Sequence, residues 1–317
     1  MDVLSLIHIL SKNSMIYVKV PATSANMGCG FDCFGIALDL YNIIGAMETG
    51  EGIAIKTAGG KTVRSISENR RNLVYRAMDE VFTKAEYHPK GLFIVHKDSA
   101  IPRTRGLGSS AACIAAGALL ANEIAGQPFS RGELLNIACQ MEGHSDNATA
   151  ALCGGFNVSL PAGGTVFHRR AEVGEDIVFL LMIPKFTLST QKSRKNLPQT
   201  VRMRDAVNNI ARSSMMAMAF ASGDFSSLPL CFGDALHEKH RKGSIPGAEP
   251  VLKAAGKFGA YGAYLSGSGP TVAAIVSKEK VAKFQFFMSN FLTQNNLDWE
   301  MITAHADNQG AAGIQSK

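Results

Sequence analysis

The stretch that decides the fold reads Ile101-Pro102-Arg103-Thr104-Arg105-Gly106-Leu107-Gly108-Ser109-Ser110-Ala111-Ala112. Its first half cannot be helical, because Pro102 lacks a backbone donor and disfavours the helical conformation at Ile101. Gly106 and Gly108 permit backbone conformations that a side chain would hinder. The alanine-rich continuation favours a helix over residues 109–125, with Ser109 or Ser110 as its N-cap. The sequence therefore predicts a glycine loop that leads into the start of a helix.

The start of that helix is a candidate anion site. Its first amides have no partner inside the helix, and the helix dipole places partial positive charge there. Two serine hydroxyls and two arginines stand beside it. The loop is not a Walker A motif, and it fits the dinucleotide pattern poorly because the nearest predicted strand, 92–95, ends too early. From this stretch alone, a phosphate cradle and a simple cap on a buried helix both remain open.

The composition is that of a globular protein with one large or two medium domains. The chain has 317 residues, of which 46% are hydrophobic and 18% charged, and this balance argues against long disordered regions. The formal net charge of +6 is spread along the chain, which suits anionic small molecules. We expect no nucleic-acid partner, because no basic stripe interleaved with aromatic residues is present.

The cysteines and the apolar runs favour a cytoplasmic protein with no membrane contact. The six cysteines form no CxxC pair and lack the spacing of a zinc site, so we expect reduced thiols. No apolar run reaches the length that crosses a bilayer. Residues 3–10 are apolar but lack the basic leader and cleavage site of a signal peptide, and residues 1–14 are expected to form a disordered extension.

Strand and helix patterns are mixed without strict alternation, which favours α+β layers over a doubly wound sheet. A boundary at Gly163-Gly164 would separate an N-terminal lobe, 15–163, from a C-terminal lobe, 164–317, with the site between them. Periodicity predicts strands over 16–20, 34–41, 53–57, 92–97, 156–160, 178–183, 271–276 and 299–304. It predicts helices over 73–82, 109–125, 131–142, 205–220, 225–237 and 281–292.

Three glycine-rich loops are far apart in the sequence, and each is flanked by predicted regular structure. They cover residues 21–32, 102–112 and 266–270. Loops placed in this way can converge on one cleft, together with the polar segment 142–147 that ends a predicted helix. Such convergence favours phosphate binding over a simple helix cap for residues 102–112.

These segments resemble the motifs of a known kinase superfamily. The run from Pro102 to Ala112 looks like the signature of the GHMP small-molecule kinases, and residues 21–32 resemble the first motif of the homoserine kinases within it. Residues 142–147 and 266–270 are similar to the later motifs, although Cys29 and Ser145 stand where the family often has proline. The resemblance implies two α+β lobes, one like ribosomal protein S5 domain 2 and one ferredoxin-like. It also implies phosphorylation of the side-chain hydroxyl of L-homoserine by ATP, a step of threonine biosynthesis.

The resemblance places the nucleotide on residues 102–112 and on Asn72, a position that contacts adenine in the family. Asn72 is also a good helix cap, and that simpler role stays open. Phosphoryl transfer needs a phosphate cradle, a cation and an aligned hydroxyl group. Ser110 and Glu142 match the family's metal positions, and Mg²⁺ usually takes few of its oxygen ligands from protein.

Homoserine is an amino acid, so its site must hold a carboxylate and an ammonium group. An arginine fork suits the carboxylate, and Arg194 and Arg241 stand at the matching family positions. The carboxylate of Asp32 suits the ammonium group. The side chains of Asn26 and His144 suit the hydroxyl end. The substrate site implied in this way comprises Asn26, Asp32, His144, Arg194, Arg241 and the backbone of Gly267.

The catalytic residues implied by the resemblance are Asn26, Glu142, Asp146 and Asn147. Several kinases of the superfamily pair an Asp of the later motif with a Lys or Arg two residues after the first-motif proline. Here that position is Thr23, so Asp146 lacks a basic partner. Because a loose phosphoryl transition state asks little of a base, we expect alignment and charge neutralisation to dominate.

Two other functions stay open at this point. A GHMP kinase for another small alcohol, such as mevalonate, would need a carboxylate contact but no ammonium contact, whereas Asp32 and the two arginines favour an amino acid. A non-catalytic ligand-binding regulator on the same fold would be expected to have lost Glu142 or the Ser109-Ser110 pair. The expected ligands are therefore ATP, Mg²⁺ and L-homoserine, and a homodimer remains open.

Overall fold

The computed structural model describes residues 14–57 and 70–314, and the expected N-terminal extension, 1–14, lies outside them apart from Ser14. The strands are β1 Ile16–Ala25, β2 Phe34–Thr49, β3 Gly52–Thr57, β4 Gly91–Ser99, β5 Phe156–Ala162, β6 Thr165–Ala171, β7 Ile177–Pro184, β8 Gly262–Leu265, β9 Val272–Ser277, β10 Trp299–Ala304 and β11 Ala312–Ile314. The helices are α1 Leu73–Lys84, α2 Ser109–Ile124, α3 Arg131–Glu142, α4 Asp146–Cys153, α5 Thr190–Lys195, α6 Met203–Ser222, α7 Glu238–Arg241, α8 Ala248–Lys257 and α9 Val281–Gln294.

The first sheet has the strand order β11-β1-β2-β4-β3, and β5 pairs with both β2 and β6. Long strand β2 connects these parts, because its start pairs with β5 and its second half pairs with β4. Helix α2 lies against β1 and packs beside α1, α3 and α4. A Cβ at Gly117 of α2 would lie 2.4 Å from the carbonyl oxygen of Val74 in α1, so glycine permits this close helix packing.

The second sheet is antiparallel, with the order β10-β7-β9-β8. Every residue of β7 is buried, as a continuous apolar run predicts for a strand covered on both faces. Val178 and Leu180 pack with α8 and α9, whereas Phe179 and Leu181 join the core of the first sheet. The second sheet therefore lies between its own helices and the first lobe. In the described part of the chain no helix combines the length and apolar character needed to cross a membrane.

The expected lobe boundary between residues 163 and 164 needs correction, because it falls inside a β-hairpin. Gly163 and Gly164 have positive φ angles of 57° and 80° and form the turn that joins β5 to β6. Strand β6 therefore stays in the first sheet, which extends to Ala171. Strand β11 also returns to this sheet and pairs with β1, so the last described residues complete the N-terminal lobe.

The predicted helix over residues 225–237 is wrong. The segment contains only a short 3-10 turn, Leu228–Leu230, and a left-handed glycine, Gly233, at φ 106°. The carboxylate of Asp234 then accepts hydrogen bonds from the backbone amides of residues 236, 237 and 238, which starts helix α7. Aspartate competes for backbone donors in this way, and the apolar pattern alone does not reveal it. The predicted elements do not include helices α4, α5, α7 and α8 or strands β6 and β11.

Candidate active site

The N-cap of α2 is Gly108, at φ 65° and ψ 23°, so the prediction of Ser109 or Ser110 as the cap is wrong. A Cβ at Gly108 would lie 1.7 Å from Oγ1 of Thr23, and only glycine fits at this turn. No side chain caps the start of α2. Its first amides are therefore left for an acceptor that lies outside the helix, which is the condition for an anion site.

The three glycine-rich loops meet at this turn. The hydroxyl of Ser266 donates to the carbonyl oxygen of Gly106 at 2.5 Å. The loop after β8 therefore contacts the loop before α2, residues 102–108, which we call the phosphate loop. A Cβ at Gly106 would lie 2.2 Å from the carbonyl oxygen of Ser266, which requires glycine there. The amide of Thr23 donates to the carbonyl of Leu107 at 3.2 Å, and the amide of Gly267 donates to that of Ala25 at 3.0 Å. Backbone contacts thus join all three loops.

The converging loops line a cavity of about 310 Å³. The predicted site residues at its wall are Asn26, Asp32, Asn72, Arg103, Thr104, Arg105, Gly106, Leu107, Gly108, Ser109, Ser110, Glu142, His144, Asp146, Asn147, Arg194, Arg241 and Gly267. Three predicted residues lie outside the wall: Pro102, Ala111 and Ala112. Both alanines are fully buried, because they face the helix packing rather than the cavity. The wall also contains residues that the sequence did not single out, among them Asn42, His96, Cys113, Thr190 and Ser268.

Arg105 ties the phosphate loop to the second lobe. Its Nε donates to the carbonyl of Pro184 at 2.9 Å, and its Nη2 donates to that of Lys185 at 2.6 Å. Burial lowers the pKa of this guanidinium from its ordinary value. Arg105 therefore joins its loop to the end of β7. The sequence predicted that Arg105 contacts the nucleotide, and that contact stays a prediction.

Ser110 and Glu142, the predicted metal pair, are brought together although they are far apart in the chain. The hydroxyl of Ser110 donates to Oε1 of Glu142 at the start of α2. Burial raises the pKa of Glu142, and the hydrogen bond from Ser110 and the proximity of His144 only partly oppose this. A buried carboxylate with no Lys or Arg paired to it among the described residues is a suitable ligand for a cation.

Asp146 is buried at the start of α4 and lines the cavity. Its Oδ1 accepts from the amide of Asn147 at 2.7 Å and lies 2.7 Å from Nδ1 of His144. Burial alone would lower the pKa of His144, but Asp146 and Glu142 together raise it above the ordinary value. Thr23 donates to Oδ1 of Asn147 at 2.7 Å. The side chain of Thr23 therefore supports Asn147.

Asp32 and Arg194 form a bidentate ion pair at the other end of the cavity. Two guanidinium nitrogens of Arg194 each lie 2.8 Å from a different carboxylate oxygen of Asp32. Asp32 adopts the left-handed conformation at φ 56°, which is uncommon for a non-glycine residue. The pair is half-buried, and the hydrogen bond to Asp32 raises the pKa of Arg194. The expected ammonium and carboxylate ligands thus bind each other in this structure.

Arg241 is only 2% exposed and has no carboxylate within ion-pair distance among the described residues. Its Nη1 donates to the carbonyl of Gly267 at 2.9 Å, and its Nε has no hydrogen-bond partner. Burial and the neighbouring charge of Arg194 lower its pKa. A buried guanidinium with an unused donor is costly, so it marks a place where an anion is expected to bind.

Asn26 and Gly267 are already engaged with the protein. The amide of Asn26 donates to the carbonyl of Gly267 at 2.8 Å, and its Oδ1 accepts from the backbone of Asp32 at 3.0 Å. The carbonyl of Gly267 also accepts from Arg241. These two residues therefore fix the first loop, Arg241 and the backbone of Asp32 relative to one another. The side-chain amide of Asn26 keeps a second hydrogen and a second lone pair, so its contact with a substrate stays a prediction.

Asn72 caps α1, since its Oδ1 accepts from the amides of Val74 and Tyr75. Its amide nitrogen therefore faces Nε2 of His96, at 3.3 Å, and His96 is the acceptor. Burial, with a contribution from Arg103, lowers the pKa of His96 to about 4 and keeps the ring neutral. The cap and a place on the cavity wall are thus compatible. His96 lies in a strand that looked merely apolar, and no local signal distinguished it.

Two family models match the chain. Residues 72–155 match the GHMP kinases N terminal domain and residues 205–294 match the GHMP kinases C terminal model. A homoserine kinase of Clostridium beijerinckii is 41% identical over 301 residues, covering 95% of this chain and 99% of that protein. A homoserine kinase of Caldicellulosiruptor saccharolyticus is 40% identical, covering 94% of this chain and 96% of that protein.

Solved structures agree with these matches. The crystal structure of homoserine kinase from Cytophaga hutchinsonii superposes with a TM-score of 0.84 at 26% identity, covering 95% of this chain and 97% of that one. The mevalonate kinase of Methanococcus jannaschii, at 16% identity, a TM-score of 0.64 and coverage of 92% and 98%, shares the two-lobed fold. The chain belongs to the homoserine kinases of the GHMP kinase family.

Proposed function

We propose that this protein transfers the γ-phosphoryl group of ATP to the side-chain hydroxyl of L-homoserine, giving O-phospho-L-homoserine and ADP. The bond from the γ-phosphorus to the ADP oxygen breaks, a bond from that phosphorus to the homoserine oxygen forms, and the hydroxyl proton is released to solvent. The named activity of its close relatives supports this reaction. The observation that supports this reaction most strongly is that one cavity contains both the uncapped start of α2 and the buried Arg241, whose Nε has no hydrogen-bond partner.

The nucleotide phosphates are assigned to the backbone around Gly108 and the first turn of α2. This end offers unpaired amides, the positive end of a helix dipole and the hydroxyls of Ser109 and Ser110. The adenine is assigned to the end near Asn72 and neutral His96, which line the same cavity. A γ-phosphate held at the start of α2 would lie between the adenine, near Asn72 and His96, and the end of the cavity that contains Asp32 and Arg194.

Ser110 and Glu142 fit a magnesium ion. The described residues contain no group of three or more His, Cys, Asp or Glu side chains placed to hold a metal. One carboxylate and one hydroxyl are nevertheless the usual protein share when phosphate oxygens supply the remaining ligands. When bound, Mg²⁺ neutralises charge on the phosphates. Burial raises the pKa of Glu142, whose carboxylate has no Lys or Arg partner among the described residues.

Homoserine is assigned to the charged end of the cavity. Its carboxylate suits Arg241, whose Nε has no hydrogen-bond partner. It also suits Arg194, whose guanidinium can donate to the substrate carboxylate in place of Asp32. Its ammonium group suits Asp32, which then keeps a cationic partner. We assign His144, which lies next to Asp146 and Glu142, to the hydroxyl end. We assign Asp146 and Asn147 to alignment of the hydroxyl, and no residue to strong base catalysis.

The test is ADP release measured with purified protein, ATP and Mg²⁺, using L-homoserine and mevalonate in parallel, with ³¹P NMR of the product. A homoserine kinase gives O-phosphohomoserine and little turnover of mevalonate. Turnover of mevalonate alone would show that the chain is a GHMP kinase for another small alcohol. Binding of ATP and homoserine without ADP release would show a non-catalytic regulator instead. Either result would overturn the proposal.

We further propose that the protein is a homodimer that associates through the outer face of α6. The exposed apolar side chains on that helix are Met203, Val207, Ile210, Met215 and Met218. The helix is flanked by Arg202 and Arg204 at its start and by Asp224 after its end. An antiparallel, two-fold pairing of two copies would place these arginines opposite Asp224 of the partner while it covers the apolar stripe. A second copy is therefore the partner that this face fits.

Light scattering coupled to size-exclusion chromatography tests the dimer. We expect a dimer for the unmodified protein and a monomer for Ile210→Asp. Phe286→Asp, at an exposed phenylalanine on α9, is the matched control and should leave the dimer intact. A monomeric unmodified protein, or a dimeric Ile210→Asp, would refute this interface. We also propose a cytoplasmic location, because the six cysteines are unpaired thiols.

A further inference from the structure

Next to the carboxylate-binding arginine lies a buried histidine that the proposed chemistry does not use. His237 has no exposed surface and precedes Arg241 by four residues, at the N-cap of α7. Its Nε2 lies 2.8 Å from the carbonyl oxygen of Gly28, and its Nδ1 lies 3.2 Å from Nη1 of Arg241. A carbonyl only accepts, so the ring proton is on Nε2 and Nδ1 is an acceptor.

Two further contacts restrain His237. It stacks on Phe31 with 5.0 Å between ring centroids and an angle of 25° between the planes. The backbone amide of His237 donates to Asp234, which is itself fixed by a 2.6 Å hydrogen bond from Asn209. Burial lowers the pKa of His237, which keeps the ring neutral and Nδ1 available. The imidazole is therefore a rigid acceptor aimed at Arg241.

Arg241 itself has few other restraints. Its Nη1 donates to Gly267 and His237, its guanidinium lies 5.3 Å from the centre of the Phe31 ring, and its Nε is unpartnered. Phe31 and His237 thus limit the plane of the guanidinium and the position of Nη1. Neither contact involves Nε of Arg241, which has no hydrogen-bond partner in the protein. An anion that reaches the cavity can use this donor without breaking an existing hydrogen bond.

We propose that His237 is a positioning residue that sets the orientation of Arg241 for the substrate carboxylate. The inference rests on the proposed function, since it assumes that Arg241 binds the carboxylate of homoserine. His237 touches no substrate in this scheme. It acts by accepting a hydrogen bond from Nη1 while it donates one to the loop that carries Asp32. One ring therefore couples the carboxylate-binding residue to the ammonium-binding loop.

Two amide substitutions separate the two hydrogen bonds of His237. In His237→Asn, the side-chain oxygen can take the place of Nδ1 and still accept from Arg241, whereas the bond to Gly28 is lost. In His237→Gln, the longer amide can still donate to Gly28, whereas the acceptor for Arg241 is lost. Both variants remove the ring and its stacking on Phe31, so they are matched in that loss. Their difference isolates the contact with Arg241.

Steady-state kinetics with the full-length variants is the first measurement. We expect His237→Gln to raise KM for L-homoserine about tenfold relative to His237→Asn, the effect of losing one hydrogen bond to a charged group. Turnover at saturation and KM for ATP should be alike in the two variants. Equal KM values for homoserine in Asn and Gln, or parallel losses for both substrates, would overturn the positioning role. An unmodified protein that does not phosphorylate homoserine would instead overturn the proposed function.

Imidazole ¹⁵N NMR of the unmodified protein provides a second test that does not depend on whether a variant folds. We expect the neutral tautomer with the proton on Nε2, and a change of the Nδ1 resonance when L-homoserine binds. A ring with its proton on Nδ1, or a cationic ring at neutral pH, could not accept from Arg241 and would refute the inference.

Discussion

The end of the cavity to which we assign phosphate, around Gly106 and Gly108, is built from glycine and backbone amides. The end to which we assign the amino acid, around Asp32 and Arg194, is built from charged side chains. Gly106 and Gly108 pack so closely on neighbouring loops that an added Cβ would overlap Ser266 or Thr23. At the other end, Asp32 and Arg194 bind each other. On the proposed assignment, the first end is preformed, and the second exchanges one ion pair for another when homoserine binds.

This contrast carries a physical lesson about specificity. A preformed cradle of amides binds phosphate with little reorganisation, so its selectivity is for charge and shape. An ion pair that must be opened favours a ligand with both charges. A carboxylate alone would leave Asp32 without its cation, and an ammonium group alone would leave Arg194 without its anion. The amino-acid end is therefore suited to a zwitterion, and mevalonate lacks the ammonium group.

The largest expected effect breaks the preformed end. In Gly108→Ala the added Cβ would lie 1.7 Å from Oγ1 of Thr23 at a positive φ angle, so the loop must move. We expect kcat/KM for ATP to fall about 1,000-fold, equivalent to about 4 kcal/mol. Gly132→Ala is the matched control, because Gly132 lies in helix α3 with open space around its Cβ position. A Gly108→Ala variant with near-normal kinetics would contradict the cradle.

At the charged end, Arg241→Lys keeps the charge but loses the planar fork. We expect KM for L-homoserine to rise about 100-fold, because a lysine ammonium cannot reproduce the bidentate geometry in a buried site. KM for ATP should stay unchanged, which steady-state kinetics measures in the same experiment. Arg169→Lys, at an exposed arginine on β6, serves as control. Parallel losses for both substrates would point to misfolding instead.

Asp146 lies between the two ends, and its substitution distinguishes alignment from base catalysis. We expect Asp146→Asn to lower kcat about 50-fold, because the amide oxygen can keep the contact with the Asn147 backbone. A general base would cost up to about 10⁴-fold with substrate binding intact. Measurement of kcat and of both KM values decides between them, and a 10⁴-fold loss would refute the absence of a strong base.

Asp32→Asn sharpens the idea that the ion pair selects a zwitterion. We expect kcat/KM for L-homoserine to fall about 20-fold, because the ammonium group loses its carboxylate partner. The value for 4-hydroxybutyrate, which lacks the ammonium group, should rise or stay constant, since Arg194 no longer has to leave Asp32. The ratio of the two substrates is the readout. An equal fall for both substrates would contradict ion-pair exchange.

The smallest expected effect is a pH dependence of stability at His144. Asp146 and Glu142 raise its pKa in the folded protein, so its charged form stabilises the fold below the ordinary pKa near 6.5. That contribution is lost as the pH rises through the folded-state value. We expect Tm of the unmodified protein to fall about 1 °C more than that of His144→Gln between pH 6 and pH 8. An equal change of Tm with pH in the two proteins would show that His144 does not contribute to the pH dependence of stability.

Most of the fold was predictable because it depends on near neighbours in the chain. Alanine periodicity predicted the helix that became α2, and the apolar run predicted β7, since both patterns express local propensity and burial. The convergence of the glycine loops was also expected from their shared character. The helix predicted over residues 225–237 failed because the side chain of Asp234 captured backbone amides. Hydrophobic periodicity contains no information about that competition.

The sequence by itself determined which residue types the chemistry needs: glycines before an alanine-rich helix, an acidic and a hydroxyl group near its start, and arginines for an amino acid. Only the tertiary structure decided what each side chain faces. Packing against Thr23 made Gly108 the helix cap. The fold also turned Arg105 toward β7 and set His237 against the carbonyl of Gly28. The physical reason is distance along the chain. Propensities act over a few residues, whereas these contacts form only when packing brings remote segments together.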